Sequence, residues 1–420
     1  MRAQTELVCP QCGQRKGQVK AGLSRGKQRY KCLKCGVRYT DTTTRLPAVP
    51  LAPQGVTKLP PLSKKRTTIS DVARVANVSI STVSNYLNNR GRMTDETHRR
   101  VAAAIKDLHY APSALTLALR RGRTGIIGVL TSGLSDGPDN VGWSIAPSLL
   151  HGINRAADAA NVELLMYSGW PHRRSRYTEQ DFASGHIDGL IWATPAPNDP
   201  LLSRIVNAGV AVQILLSRVA PDQSGWVCSD NVGGTREVMD HLLGLGHRRI
   251  AFIATTPCSD FLERRDAYRA GLVENGIAVD SELEYIHDDY NYDRDELSRA
   301  VCALLSAKVP PTAIVAADDW IASHVIDRLK ADGIRVPEDM SVTGFNDVGE
   351  ARMVGGGLTT VHQDFAEIGR LGVESLLSLL EGGDVNECRH SVQTHIIVRN
   401  TTGPARPGSI PSPASRFNIE

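Results

Sequence analysis

No stretch of this chain approaches the roughly 20 consecutive apolar residues that a membrane-spanning helix needs, so no transmembrane segment is expected. The N-terminus is polar and lacks the apolar core of a secretory signal; a cytoplasmic protein is predicted. Catalytic signatures are also missing. There is no P-loop, no GxGxxG in a strand–turn–helix setting and no Ser-His-Asp order. His241, His247, Asp288-Asp289 and Asp318-Asp319 could suggest metal or acid–base chemistry, but they fall in helix, strand-start and loop patterns. We expect no enzymatic activity.

A large net charge is absent as well, but the value of +3 conceals a segregation. Residues 1–124 hold 24 Lys and Arg against 6 Asp and Glu, a balance of +18; the remainder holds 24 against 39, a balance of −15. A basic head on an acidic body suits a head that meets phosphates and a body that does not. The 420 residues predict two or more domains, and 41% hydrophobic content supports a sizeable core.

Of the eight cysteines, Cys228, Cys258, Cys302 and Cys388 are scattered, and in a cytoplasmic protein they are expected reduced and buried. The other four form two CxxCG pairs, Cys9/Cys12 and Cys32/Cys35, separated by 19 residues. Paired CxxC turns bring four thiolates into a tetrahedron that suits a structural Zn²⁺. Iron in a rubredoxin-like site is the rival. The Lys- and Arg-rich stretch between the pairs favours a DNA-facing zinc ribbon over residues 1–40; a zinc-stapled protein-binding module is the alternative. The segment GKQRYKCLKCGVRYT resembles the zinc ribbons that open some transposase-type proteins. Residues 41–67, rich in Pro and Thr, read as a flexible linker ending in the basic Lys64-Lys65-Arg66, placed to touch phosphate.

Residues 68–111 read as three short helices. Ser70 is expected to cap the first, which contains Asp71, Val72, Ala73, Val75 and Ala76. Asn77-Val78-Ser79 forms a tight turn, and Ile80 to Leu87 a second helix with Val83 and Leu87 on one stripe. Thr94 caps a third, running to Tyr110 with Val101, Ala104, Ile105 and Leu108 on one face. This is helix-turn-helix spacing, in which the second helix enters the DNA major groove. An ordinary three-helix packing unit has the same spacing. From Thr124, apolar runs such as GIIGVLTS, VELLMYS, GLIWAT, AVQILL, RIAFIAT, AIVAAD and SVTGF alternate with amphipathic stretches. Repeated βα units predict doubly wound parallel sheets, too many strands for one sheet of ordinary size. Residues 403–420 read as a disordered tail.

The run VARVANVSISTVSNYLN, followed by VAAAIKDLHYAPSALTLALRRGRTGIIGVL, resembles the start of the LacI/GalR family of bacterial transcription regulators, and the likeness continues to about Thr402. The resemblance implies a two-lobed periplasmic-binding-protein-like body over 125–402 that binds effector and dimerises, behind a hinge helix in 112–124. Pro112 opens that helix and Leu119 stands at the minor-groove wedge position. It places Ile80, Ser81 and Asn85 against bases, where Asn pairs with adenine and Ile meets a thymine methyl. Members often carry Arg there; this chain does not, so its half-site should differ. Ser79, Thr82, Ser84, Asn88 and Arg92 fall at phosphate-contacting positions, while Val72, Val75, Val83 and Leu87 are expected in the core.

In the body, the resemblance assigns Arg264 to the effector and Phe365 to an apolar wall, beside Gln363. Asp318 and Asn346 exchange the amide and carboxylate usual in relatives, and Ser217 replaces an Asp of many sugar-binding members, which argues against a plain hexose. Trp143 and Trp170 are candidates for the first-lobe side. The resulting expectation is a homodimeric repressor of double-stranded operator DNA switched by a small-molecule effector, a sugar or sugar derivative. A mobile-element-linked DNA-binding protein whose body only dimerises is the second reading, and a sugar-metabolising enzyme with a DNA-binding head the third.

Overall fold

The computed structural model describes residues 18–24, 27–34, 38–40, 67–88, 90–111, 122–131, 141–168, 177–196, 199–218, 220–254, 258–286, 294–353 and 357–406. The chain forms two compact units, Met1–Ala111 and Pro112–Glu420.

The first unit begins with a three-stranded antiparallel sheet of β1 (Gln18–Ser24), β2 (Lys27–Cys32) and β3 (Arg38–Thr40) in that order. Its register pairs Gln18 with Cys32 and Lys31 with Arg38. Three helices follow: α1 (Ile69–Ala76), α2 (Ile80–Leu87) and α3 (Asp95–Asp107). Their shared core is Val72, Ala73, Ala76, Val83, Val101 and Ala104, with Leu87, Ile105 and Leu108 half-buried against it. Three expectations are corrected here. The cap of α1 is Thr68, not Ser70: its hydroxyl accepts from Asp71 N, and the Asp71 carboxylate accepts from Thr68 N at 3.0 Å, a reciprocal capping box. Val75 is 52% exposed, because an eight-residue helix buries only one narrow stripe and Val75 lies outside it. The third helix stops at Asp107, and His109 turns into the left-handed region.

The second unit is two-lobed. In the first lobe, β4 (Ile126–Thr131), β5 (Glu163–Ser168), β6 (Gly189–Ala193), β7 (Ala211–Leu215) and β8 (Gly225–Ser229) are joined by α4 (Val141–Ala160), α5 (Glu179–Ala183) and α6 (Pro200–Asn207). In the second lobe, α7 (Asn231–Gly244), β9 (Ile250–Ala254), α8 (Ser259–Glu274), β10 (Glu284–Ile286), α9 (Arg294–Leu305), β11 (Ala313–Ala316), α10 (Asp319–Ala331), β12 (Ser341–Thr343) and α11 (Gly349–Met353) build a parallel sheet ordered β10-β9-β11-β12. After β13 (Thr360–His362), the chain returns to the first lobe as α12 (Phe365–Leu380) and β14 (Arg389–Val392), then ends in the second with β15 (His395–Ile397). The first-lobe sheet is therefore β14-β8-β7-β6-β4-β5, parallel throughout.

The chain thus passes between lobes three times: at Asp230, around Gln363-Asp364, and at Gln393-Thr394. Two of these strands are tied together, Asp230 N donating to Val392 O at 2.8 Å and Thr394 Oγ1 to Asp230 O at 2.9 Å. The helix α12 closes the first-lobe core, where Phe365, Ile368, Val373 and Leu376 pack with Leu149, Ile153 and Leu215. Glycine makes this approach possible, since a Cβ on Gly152 would lie 1.9 Å from Ala366 O. The segment expected as a disordered tail starts ordered: Gly403 N donates to Ser341 Oγ at 3.0 Å and Ala405 N to Leu245 O at 2.9 Å.

Candidate functional sites: a helix-turn-helix face and an interlobe cleft

In the head, Asn77 ends α1 in the left-handed conformation, with φ of 48°, and Val78 N donates back to Ala73 O at 3.0 Å. That reversal sets α2 across α1 in the helix-turn-helix manner. Ser79 caps α2, its Oγ accepting from Thr82 N at 3.1 Å and lying 2.7 Å from Ser81 Oγ and 2.8 Å from Thr82 Oγ1. The N-terminus of α2 therefore carries a hydroxyl cluster next to its free backbone N–H groups, a surface suited to phosphate. Ile80 is 50% exposed, and Ser81 and Asn85 are exposed with it, while Val83 on the opposite side is fully buried. A large exposed Ile flanked by polar side chains is a surface suited to base edges. Ser84 is half-buried and its carbonyl accepts from the Asn88 amide, so Asn88 also closes the helix end; Arg92 is exposed.

One residue was not singled out from the sequence. Arg100 of α3 donates from Nε to Ala76 O at 3.1 Å, and from Nη2 to Ala76 O at 2.6 Å and Asn77 O at 2.7 Å. A cation there satisfies the orphan carbonyls at the end of α1 and complements its dipole. Its signal in the sequence was only its place in a third helix, from which no contact could be read. Leu119 and Pro112 lie outside the described residues, as do Cys9, Cys12, Cys35, Lys64-Lys65-Arg66, Trp170 and Asp288-Asp289; the side chain of Trp143 does too.

In the body, the candidate residues come from both lobes. Ser217 follows β7, and its Oγ accepts from Ser259 Oγ of the second lobe at 3.1 Å. Arg264, only 3% exposed, projects from α8; it donates from Nε to Asn231 Oδ1 at 2.9 Å and from Nη1 to Ala317 O at 2.6 Å, and its guanidinium lies 3.7 Å from the centre of the Phe345 ring. Ala317 and Phe345 immediately precede Asp318 and Asn346, so this one side chain lies next to the other two second-lobe candidates. Asp318 is buried and caps α10 through Ile321 N at 2.8 Å. Asn346 is buried, accepts from the Gln363 amide and has φ of 123°; Asp347 has φ of 55°. Left-handed backbone in residues other than glycine is strained and collects at functional sites. Thr194 after β6 and Leu216 after β7 share it, so four of the five such residues described in the body follow the carboxyl ends of strands, where ligands of open α/β sheets bind, the fifth being Asn161 ahead of β5. Phe365, expected as an apolar wall, is buried and packs in the first-lobe core.

Asp260, in the first turn of α8, is buried beside Arg264, with Oδ2 3.8 Å from Nη2. Burial pushes its carboxyl up to about 6, against the pull of Arg264. The same surroundings push Cys258 up to about 12 and leave it an inert thiol. The acid–base candidates have structural partners. His247 lies 2.9 Å from Thr312 Oγ1 and 3.0 Å from both Ser341 Oγ and Gly403 O, pinning the C-terminal segment, and His241 meets Thr402 Oγ1 at 2.9 Å. Asp319 accepts from Val348 N at 3.0 Å and from Thr360 Oγ1, and burial holds its carboxyl well above the usual range.

A helix-turn-helix head joined to a two-lobed α/β body defines a DNA-binding transcription regulator. Comparisons with known proteins agree. Residues 68–113 match the model of the bacterial regulatory proteins of the lacI family, and 239–402 that of the periplasmic binding protein-like domain. The HTH-type transcriptional regulator DegA of Bacillus subtilis (strain 168) is 30% identical over 311 residues, covering 72% of this chain and 88% of DegA. The ribose operon repressor of Escherichia coli (strain K12) is 29% identical over 319 residues, 74% of this chain and 92% of that protein. A solved complex of the transcriptional regulator CelR with cellobiose is 27% identical, with a TM-score of 0.58, covering 80% of this chain and all of that one. The chain belongs to the lacI family and is a sequence-specific DNA-binding transcriptional regulator.

Proposed function

We propose that this regulator is a repressor, that it grips a pseudo-palindromic operator as a homodimer, and that a small polyhydroxylated effector held between the lobes switches its affinity. The observation that carries the effector reading is the buried Arg264 guanidinium, which lies against Ala317 and Phe345, the residues just before Asp318 and Asn346, while Ser217 of the first lobe is tied to the same helix through Ser259. Two Arg264 donor groups are already engaged, and Asp260 and Asp318 stand nearby. The site is therefore rich in acceptors, so it favours a ligand that brings hydroxyl donors and disfavours a carboxylate. The ribose and cellobiose in the relatives' names fit a neutral sugar. A panel of neutral sugars, with glucuronate as the anionic counterpart, should include one that changes operator affinity about tenfold or more, and Arg264→Ala should lose that response. Wild-type response in Arg264→Ala would remove the residue from the site; no response to any neutral sugar would leave the body as a dimerisation module.

The N-terminal cysteines belong to the same proposal. Cys9, Cys12, Cys32 and Cys35 hold one Zn²⁺, which supplies the cross-link that a module too small for its own core lacks. Supporting this, Cys32 is fully buried at the end of β2 and leads into a turn at Leu33-Lys34, as a CxxC half-site demands. Lys27, Arg29 and Lys31 stand at alternate positions along β2, a basis for phosphate contact outside the half-sites. One zinc per chain by elemental analysis, lost in Cys32→Ser, is expected; bound iron with visible absorption would select the rival metal. Removing residues 1–45 should shorten the footprint and flatten the dependence of log K on log salt. An unchanged slope would favour a protein partner for the ribbon.

A further inference from the structure

Arg264 is held directly by its own lobe and is linked to the first lobe through its neighbours. Asn231 sits between Arg264 and Glu263: its Oδ1 accepts from Arg264 Nε at 2.9 Å, and its Nδ2 donates to Glu263 Oε2 at 2.9 Å. The other oxygen of the same carboxylate, Glu263 Oε1, faces Arg218 Nε at 3.3 Å, an ion pair set off the hydrogen-bond line. Glu263, Arg264 and Asn231 belong to the second lobe, and Arg218 to the first. Arg218 is in turn fixed on its own lobe, with Nη2 donating to Ser391 Oγ at 3.2 Å and its guanidinium 4.8 Å from the centre of the Trp226 ring. Contacts therefore run without a gap from the first-lobe sheet to the backbone of Ala317, next to Asp318.

The location gives this path leverage. Asn231 directly follows the first interlobe crossing at Asp230, and Ser391 lies just before the third. Rotation of one lobe on the other must change the Arg218–Glu263 separation. A carboxylate that loses Arg218 is left with Asn231 as its partner, and in this partly buried network the loss is passed on to the Asn231–Arg264 bond. The parallel contact between Ser259 and Ser217 would break in the same movement.

We propose that Asn231 and Glu263 are positioning residues that couple Arg264 to Arg218, so that lobe closure and the setting of the effector arginine are one equilibrium. This rests on the effector reading for Arg264 in naming what the coupling serves, but the coupling itself exists without a ligand. Discrete contact networks of this kind carry energetic coupling between sites when both ends bias one two-state element. The chain of contacts also assigns the direction. A ligand that draws Arg264 away from Asn231 loosens the interlobe pair, and loss of the pair frees the arginine.

The test uses the full-length, ligand-free chain and hydrogen exchange measured by mass spectrometry. Arg218→Gln alters only the first lobe. It should raise exchange about threefold or more in the second lobe, at the first turns of α8 and α10. Glu263→Gln should do the same, and the double variant should exchange no faster than the quicker single, because both break one path. Arg218→Lys, which keeps the charge, should restore most of the protection. Second-lobe exchange at the wild-type rate in Arg218→Gln, or effects that multiply in the double variant, would overturn the coupling. Should these rates shift as expected while no neutral sugar alters operator affinity, the coupling would stand and the effector reading would fall.

Discussion

Arg100→Ala tests whether the head owes its geometry to a single clamp. The side chain makes three hydrogen bonds onto the carbonyls of Ala76 and Asn77, where α1 ends and the turn begins. A hydrogen bond from a charged donor contributes about 1.5–3 kcal/mol. The three share one guanidinium, and the carbonyls regain water when it is removed, so the set contributes about 2 kcal/mol rather than the sum. A head of this size has a total stability of only a few kcal/mol at about 0.1 kcal/mol per residue. Calorimetry of the full chain should therefore show the head transition falling by about 10 °C, with the body transition unchanged. Operator affinity should fall as the folded head is depleted. Arg100→Lys should recover less than half of the loss, since a point charge cannot fork across two carbonyls. A head transition within about 1 °C of wild type in Arg100→Ala would refute the reasoning and leave the turn to Asn77 and the capping box.

Two further outcomes follow from the body. Burial lowers the pKa of His247, so the unfolded chain takes up a proton before the folded one does as pH falls. The stability that His247 contributes is present above its ordinary value of 6.5 and is lost below it; urea midpoints should drop on acidification through pH 6, and less so in His247→Gln. Gly152→Ala should destabilise the body by about 1–3 kcal/mol, because the new methyl meets the backbone of Ala366 and α4 and α12 cannot yield locally. An unchanged urea midpoint would mean that the helices separate freely.

The helix-turn-helix was legible because its signals are local: a polar turn, short helices and apolar positions three and four apart. The misassignments there were local too. Thr68 and Ser70 both precede the apolar run, and only the reciprocal bonds with Asp71 decide between them. Val75 has the chemistry of a core residue but sits outside the buried stripe. In the body, the strongly apolar parallel strands were readable, while β8, which opens on Gly225-Trp226, and the polar β14, RHSV, were not. Their strand character comes from pairing in the first-lobe sheet, β8 with β7 and β14, and β14 with β8. The return of the sixteen-residue α12 to the first lobe is a matter of chain topology that periodicity does not encode. At the cleft, the family resemblance marked Arg264, Asp318 and Asn346, but the partners that hold Arg264 came only from the fold. Asn231, Glu263 and Arg218 carry no signal in the sequence above that of ordinary polar and surface residues.

The central claim is sequence-specific recognition through the exposed face of α2, and selection of bound fragments from a random double-stranded DNA library tests it most directly. The full-length chain should enrich a pseudo-palindrome whose two half-sites repeat one sequence. Asn85→Ala should relax the preference at one base pair in each half-site, by about 1–3 kcal/mol, and leave the spacing intact. Fragments with no common sequence, or an identical motif with undiminished preference from Asn85→Ala, would contradict the account.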